Sequence, residues 1–116
     1  MNDFIKIIDN AIPNELCDIL IKHADEKFDN SSSVHIIKYN ETQRQDEQLF
    51  LADTSIALNI EINNVLSDLV QLYINKYPVL SNIEFVSTDN KLQRTKIGGG
   101  FHEFHFEQAN INTCRR

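Results

Sequence analysis

Residues 98–107, GGGFHEFHFE, decide how the second half of this chain is read. Glycines permit positive φ and close backbone approach, so Gly98, Gly99 and Gly100 predict a tight turn that delivers the next segment at a fixed angle. That segment alternates. In a strand over 101–107, Glu103, His105 and Glu107 share one face, and His102, Phe104 and Phe106 share the other. An imidazole and a carboxylate two residues apart on one strand face are the local half of a two-histidine, one-carboxylate set. Such a set holds Fe(II) on one side and leaves positions open opposite. His105 and Glu107 are therefore the candidate metal ligands. The triplet His-x-Glu is common by chance, and two solvated polar residues on a sheet face are its ordinary explanation. A phosphate-binding loop is disfavoured, because no Lys-Ser/Thr follows the glycines and a strand pattern does.

Upstream, the period is strand-like from Ile83: IEFVS, a polar turn at 88–90, then KLQRTKI. Three successive strands are expected. Before them, 48–78 is the longest helical segment, with Ile56, Ile60, Leu66, Leu69, Val70, Tyr73 and Tyr77 near helical spacing, Asp53 or Thr54 as cap and Pro78 as stop. The run FIKII (4–8) and the run VHIIKY (34–39) read as strands, and NETQRQDEQ (40–48) as a polar loop in which Arg44 and Asp46 are solvated charges. After Pro13, Leu16, Cys17, Leu20, Ile21, Ala24 and Phe28 recur at intervals of three and four, predicting an amphipathic helix.

The 116 residues suffice for one domain with a core, and 41% hydrophobic with 24% charged residues is ordinary for a globular chain. A net charge of −6 without a basic tract argues against nucleic-acid binding by phosphate neutralisation. Cys17 and Cys114 form no metal or disulfide spacing, which suits a reducing cytosol. No run approaches the roughly 20 apolar residues of a membrane span, so no membrane partner is expected.

In this setting the chain resembles the 2-oxoglutarate- and Fe(II)-dependent dioxygenases of the prolyl 4-hydroxylase-like type. AIPNELCDILIKHA resembles their N-terminal helix, RQDEQLFL the loop leading to the second helix, and KLQRTKIGGGFHEFHFE the approach to the first metal ligands. The likeness spans nearly the whole chain, and only its last segment is chemically specific. The family pattern Tyr-x-x-Gly-x-x-Tyr-x-x-His-x-Asp falls here on Lys96, Gly99, His102, His105 and Glu107. Both tyrosines are replaced, one of which commonly contributes to the 2-oxoglutarate pocket, and glutamate stands for aspartate.

The resemblance implies His105 and Glu107 as iron ligands, with Gly99 and His102 lining the pocket. It also implies Fe(II) and 2-oxoglutarate as cofactors, allows ascorbate, and makes a peptide or small molecule the substrate whose C–H bond is hydroxylated. The expected fold is α+β, a single domain over 1–116. N-terminal helices would pack on an incomplete double-stranded β-helix sheet of the jelly-roll or cupin-like kind. Nine residues follow Glu107, too few for further strands of about five to six residues each. The distal histidine and the basic partner of 2-oxoglutarate are therefore expected outside this chain, which reads as the front portion of a dioxygenase domain, inactive alone.

The alternatives are a non-catalytic fragment or binding module that associates through an unpaired sheet edge, or a small zinc protein using His102, His105 and a carboxylate. Strand alternation disfavours the zinc reading, since it makes the two histidines diverge. His23 is expected as a partly exposed histidine near a helix end, and His35 has nothing placing it near His105.

Overall fold

The computed structural model describes residues 4–30, 35–87 and 89–103. Pro13 leads into α1 (Asn14–Asp29), whose Leu16, Leu20 and Phe28 are buried on one stripe with Ala24 packed between them. An extended hairpin follows: β1 (Ile36–Asn40) and β2 (Arg44–Phe50), antiparallel, with Ile36 opposite Leu49 and Asn40 opposite Gln45. A single turn of helix, α2 (Leu51–Thr54), then breaks at the extended residue Ser55. The long helix α3 (Ile56–Lys76) begins there, with the Ser55 hydroxyl accepting from the Leu58 amide at 3.4 Å. Tyr77 ends α3, and Pro78 opens a 3-10 turn, Pro78–Leu80, as a proline that cannot continue a helix should.

The sheet is completed by β3 (Lys91–Arg94) and β4 (Gly100–Phe101). Both pair antiparallel with β2, β3 against its Glu47-to-Phe50 half and β4 against Arg44 and Gln45. Because β1 occupies the other edge of β2, β3 and β4 lie end to end along a single edge. Residues 95–99 are extruded between them as a turn closed by Gly99 N–H donating to the Lys96 carbonyl at 2.8 Å. The core joins Leu16, Leu20 and Phe28 of α1, Leu49 of β2, Leu51 of α2 and Ile62 of α3. The helices thus cover the sheet face that carries Glu47 and Leu49. No helix among the described residues is long and apolar enough to cross a membrane.

An α+β architecture with an antiparallel sheet agrees with the expectation at that level, and several elements differ. The 4–8 run forms no strand: it lies against the end of α3, where Lys76 and Tyr77 donate to the Ile5 carbonyl and Tyr73 to that of Phe4. The 40–48 run is the largest departure, because its second half is the central strand, with Asp46, Glu47 and Gln48 buried. Neither Asp53 nor Thr54 caps the long helix; Ser55 does. Ile56 and Ile60 face solvent, since the buried face of α3 is set by Leu58, Ile62, Val65 and Leu66. Residues 83–87 form no strand. Of the strand expected over 101–107, only Phe101 is paired, and 104–107 lie outside the described residues.

The lead into β3 is fixed by side chains. Asn90 donates through Nδ2 to Asn59 and Asn63 of α3 at 2.7 and 2.8 Å, and the Asp89 carboxylate accepts from the Ala52 amide in α2 at 3.0 Å.

Candidate functional site

His105 and Glu107 lie outside the described residues. What the structure gives is the path that leads to them. Gly98 has φ +82° and Gly100 φ +144°, both in the region that favours glycine. Gly99 is required for a different reason: a Cβ there would sit 2.6 Å from the Gln45 carbonyl oxygen, so the turn presses on the backbone of β2. The glycines therefore do make a turn, one that returns the chain to the same edge of β2 instead of starting a new neighbour. Beyond β4 the His102 amide donates to the Gln43 carbonyl at 2.8 Å, and the His102 and Glu103 side chains are exposed.

The remaining histidines do not converge. His35 is exposed ahead of β1. His23, half-buried in α1, meets Thr54 Oγ1 at 3.1 Å, and because the Thr54 hydroxyl donates to the Phe50 carbonyl, the His23 Nε2–H is the donor in that contact. Burial first and then Lys27 lower the pKa of His23, against a smaller opposite effect of Glu26. Among the described residues no group of three His, Cys, Asp or Glu side chains is drawn together for a metal.

The sheet carries two arginine-centred clusters, one on each face. On the helix side, Lys38, Glu47 and Arg94 stand directly opposite one another across three strands. Arg94 gives Nε to Glu47 at 2.8 Å, Nη1 to Asp25 at 3.1 Å and Nη2 to Asp29 at 3.0 Å, with its guanidinium over the Phe28 ring. Lys38 reaches the other Glu47 oxygen at 3.3 Å. Burial alone would raise the Glu47 carboxyl, but hydrogen bonds from Arg94 and Lys38 outweigh it and hold the group below its ordinary value. Glu47 in turn raises Arg94; burial opposes this, and Asp29 and Asp25 reinforce it. A cavity of about 410 Å³ borders this cluster, lined among others by Lys38, Glu47, Arg94, Lys96, Ile97 and Gly99.

On the opposite face, Arg44 gives Nε to Asp46 Oδ2 at 3.0 Å, and Gln93 donates to the same oxygen at 3.0 Å. The Arg44 guanidinium lies over Tyr39 of β1, 3.9 Å from the ring centroid, and near Phe101 of β4 at 5.5 Å. Asp46 Oδ1 and Gln48 Nε2 are buried there without a hydrogen-bond partner among the described residues. Arg44 and Asp46 are thus not solvated loop charges. Their signal in the sequence was present, an arginine and an aspartate two residues apart, but it becomes readable only once 44–50 is known to be a strand between two others.

Compared with family models, curated proteins and solved structures, the chain has no match. The class defined by the described residues is an α+β protein with helices on one face of a four-stranded antiparallel sheet.

Proposed function

We propose that this chain acts within a 2-oxoglutarate- and Fe(II)-dependent dioxygenase domain of the prolyl 4-hydroxylase-like type, with a double-stranded β-helix as its full fold. The observation that carries this reading is the sequence pattern Gly99, His102, His105, Glu107, whose first two members flank β4, a strand paired to the centre of the sheet. A neutral imidazole and a carboxylate are donors that suit Fe(II). His105 would offer a ring nitrogen and Glu107 an oxygen. Fe(II) bound there with 2-oxoglutarate would supply O₂-dependent chemistry in which 2-oxoglutarate is decarboxylated to succinate and CO₂ and a C–H bond of a peptide or small molecule is hydroxylated, one oxygen atom going to succinate and one to the hydroxylated product. The third ligand and the basic partner of the cosubstrate are assigned to no residue of this sequence.

Anaerobic titration of the chain with Fe(II) tests the ligand pair apart from turnover. The expected result is weaker binding in His105→Ala and Glu107→Ala, by about 10-fold or more each, since loss of even a group that only supports a ligand costs about that much. Unchanged metal affinity in both variants would remove the reading. It would favour a binding module without redox chemistry, for which the arginine face of the sheet is the specific observation.

A further inference from the structure

The two arginine clusters are the same device built twice, and one of them is unfinished. In each, the guanidinium Nε is held by the carboxylate of a buried β2 residue, Glu47 for Arg94 and Asp46 for Arg44. In each, aromatic side chains lie against the guanidinium, Phe28 in one case, Tyr39 and Phe101 in the other. Arg94 then spends both terminal nitrogens on two further carboxylates, Asp25 and Asp29 of α1. Among the described residues the Arg44 guanidinium makes one hydrogen bond, from Nε to Asp46, so Nη1 and Nη2 have no hydrogen-bond partner there, and about a fifth of the side chain (22%) remains exposed.

We infer that the outward edge of Arg44 is a receptor for the carboxylate of a ligand, completing on this face what Asp25 and Asp29 complete on the other. An arginine that merely reaches into water needs no fixed geometry. Here Nε is pinned and rings from both neighbouring strands limit the plane of the group, so its two terminal N–H edges are oriented before anything binds. That is the fork geometry that takes a carboxylate through two parallel hydrogen bonds. The supporting carboxylate is itself incompletely paired among the described residues: Asp46 is 4% exposed, and its Oδ1 has no hydrogen-bond partner there. Its role on this face is to hold Arg44 and Gln93. A carboxylate fits better than a phosphate dianion, because Asp46 already neutralises much of the guanidinium charge and the chain carries a net −6. The inference is independent of the metal reading, since it uses neither His105 nor Glu107.

The test is an NMR titration of the full chain with N-acetylglycine, with N-acetylglycinamide, phosphate and sodium chloride as parallel arms, following the Arg44 Nε–Hε signal and the Phe101 amide. Saturable shifts with N-acetylglycine, absent with its amide and with chloride, are expected. Arg44→Lys, which keeps the charge over Asp46 but loses the fork, should weaken binding by about 10-fold or more. Tyr39→Leu, which keeps the guanidinium and removes one flanking ring, should weaken it about 3-fold or more while the other amides stay at their native positions. Equal affinity for phosphate would overturn the assignment to a carboxylate. Undiminished binding in Arg44→Lys, shifts centred on Lys38 or Lys96, or no saturable response in the wild type would overturn the site itself.

Discussion

Glu47 and Gln48 are neighbours in one buried strand, and their side chains should respond to substitution in opposite directions. Glu47 is an anion balanced by Lys38 and Arg94, so Arg94→Met leaves it with a single half-exposed partner. A loss of about 3 kcal/mol in chemical denaturation is expected, as for a buried pair broken on one side. The contacts of Arg94 with Asp25 and Asp29 add little to that figure, because those carboxylates are 53% and 71% exposed. If the charge left behind is the cause, Arg94→Met combined with Glu47→Gln should cost less than the sum of the two single changes. Equal or greater cost would place the loss in packing on Phe28 instead. Gln48 has the reverse problem, a buried amide nitrogen with no acceptor among the described residues. Gln48→Met keeps the length, removes the unpaired donor and should stabilise by about 1 kcal/mol, read as a rise in the denaturation midpoint.

Among the elements, the glycine turn separates two kinds of glycine requirement. Gly99→Ala forces a Cβ to within 2.6 Å of one backbone oxygen and 3.1 Å of another, Lys96 O, and neither can rotate away. The turn must move off β2, at a cost of about 1–3 kcal/mol and with loss of amide protection at Gly100. Gly98→Ala meets nothing within 4 Å and suffers only the strain of φ +82°, about 1–2 kcal/mol, with β4 still paired. The two variants are told apart by hydrogen exchange at Gly100, not by the midpoint alone. The turn and α1 were legible because glycine content and a stripe such as Leu16, Leu20, Phe28 are local signals. β2 was not. Arg44 to Gln48 reads as loop by hydropathy, and its buried Asp-Glu pair becomes tenable through Arg44 within the strand together with Lys38, Gln93 and Arg94 from other strands. Likewise 4–8 and 83–87 have strand composition, yet neither found a place in the sheet. Position in the sheet is set by long-range pairing, which composition does not encode. Of the candidate site, the turn before His105 could be anticipated, while Arg44 became a candidate only through Tyr39 and Phe101 reaching it from the two flanking strands.

For the molecule as a whole, acid should act in two stages. His23 and Glu47 both have folded-state pKa values below their ordinary ones, so the unfolded chain takes up the proton first in each case. Stability therefore rises with pH through both windows and is lost as pH falls. The His23 contribution is complete above its ordinary value of 6.5 and declines below it, and the Glu47 contribution is complete above 4.5 and declines below that. A competing effect runs the other way. Acidification neutralises a chain that carries −6 near neutrality, and reduced self-repulsion favours the compact state. The raw stability profile mixes the two, so the difference between variants is the informative quantity. Subtracting the profile of His23→Gln from that of the wild type should leave a step confined to pH values below about 6.5, and Glu47→Gln should leave one below about 4.5. Glu47→Gln also changes the net charge, but a diffuse charge effect spreads over the titration of all the carboxylates and gives a slope rather than a step. Urea denaturation midpoints measured across both windows decide the matter. A His23→Gln profile parallel to the wild type down to acid pH would show that the α1 contact with Thr54 is indifferent to protonation. Its Nε2–H donor, retained in both charge states, would then be sufficient for that helix junction.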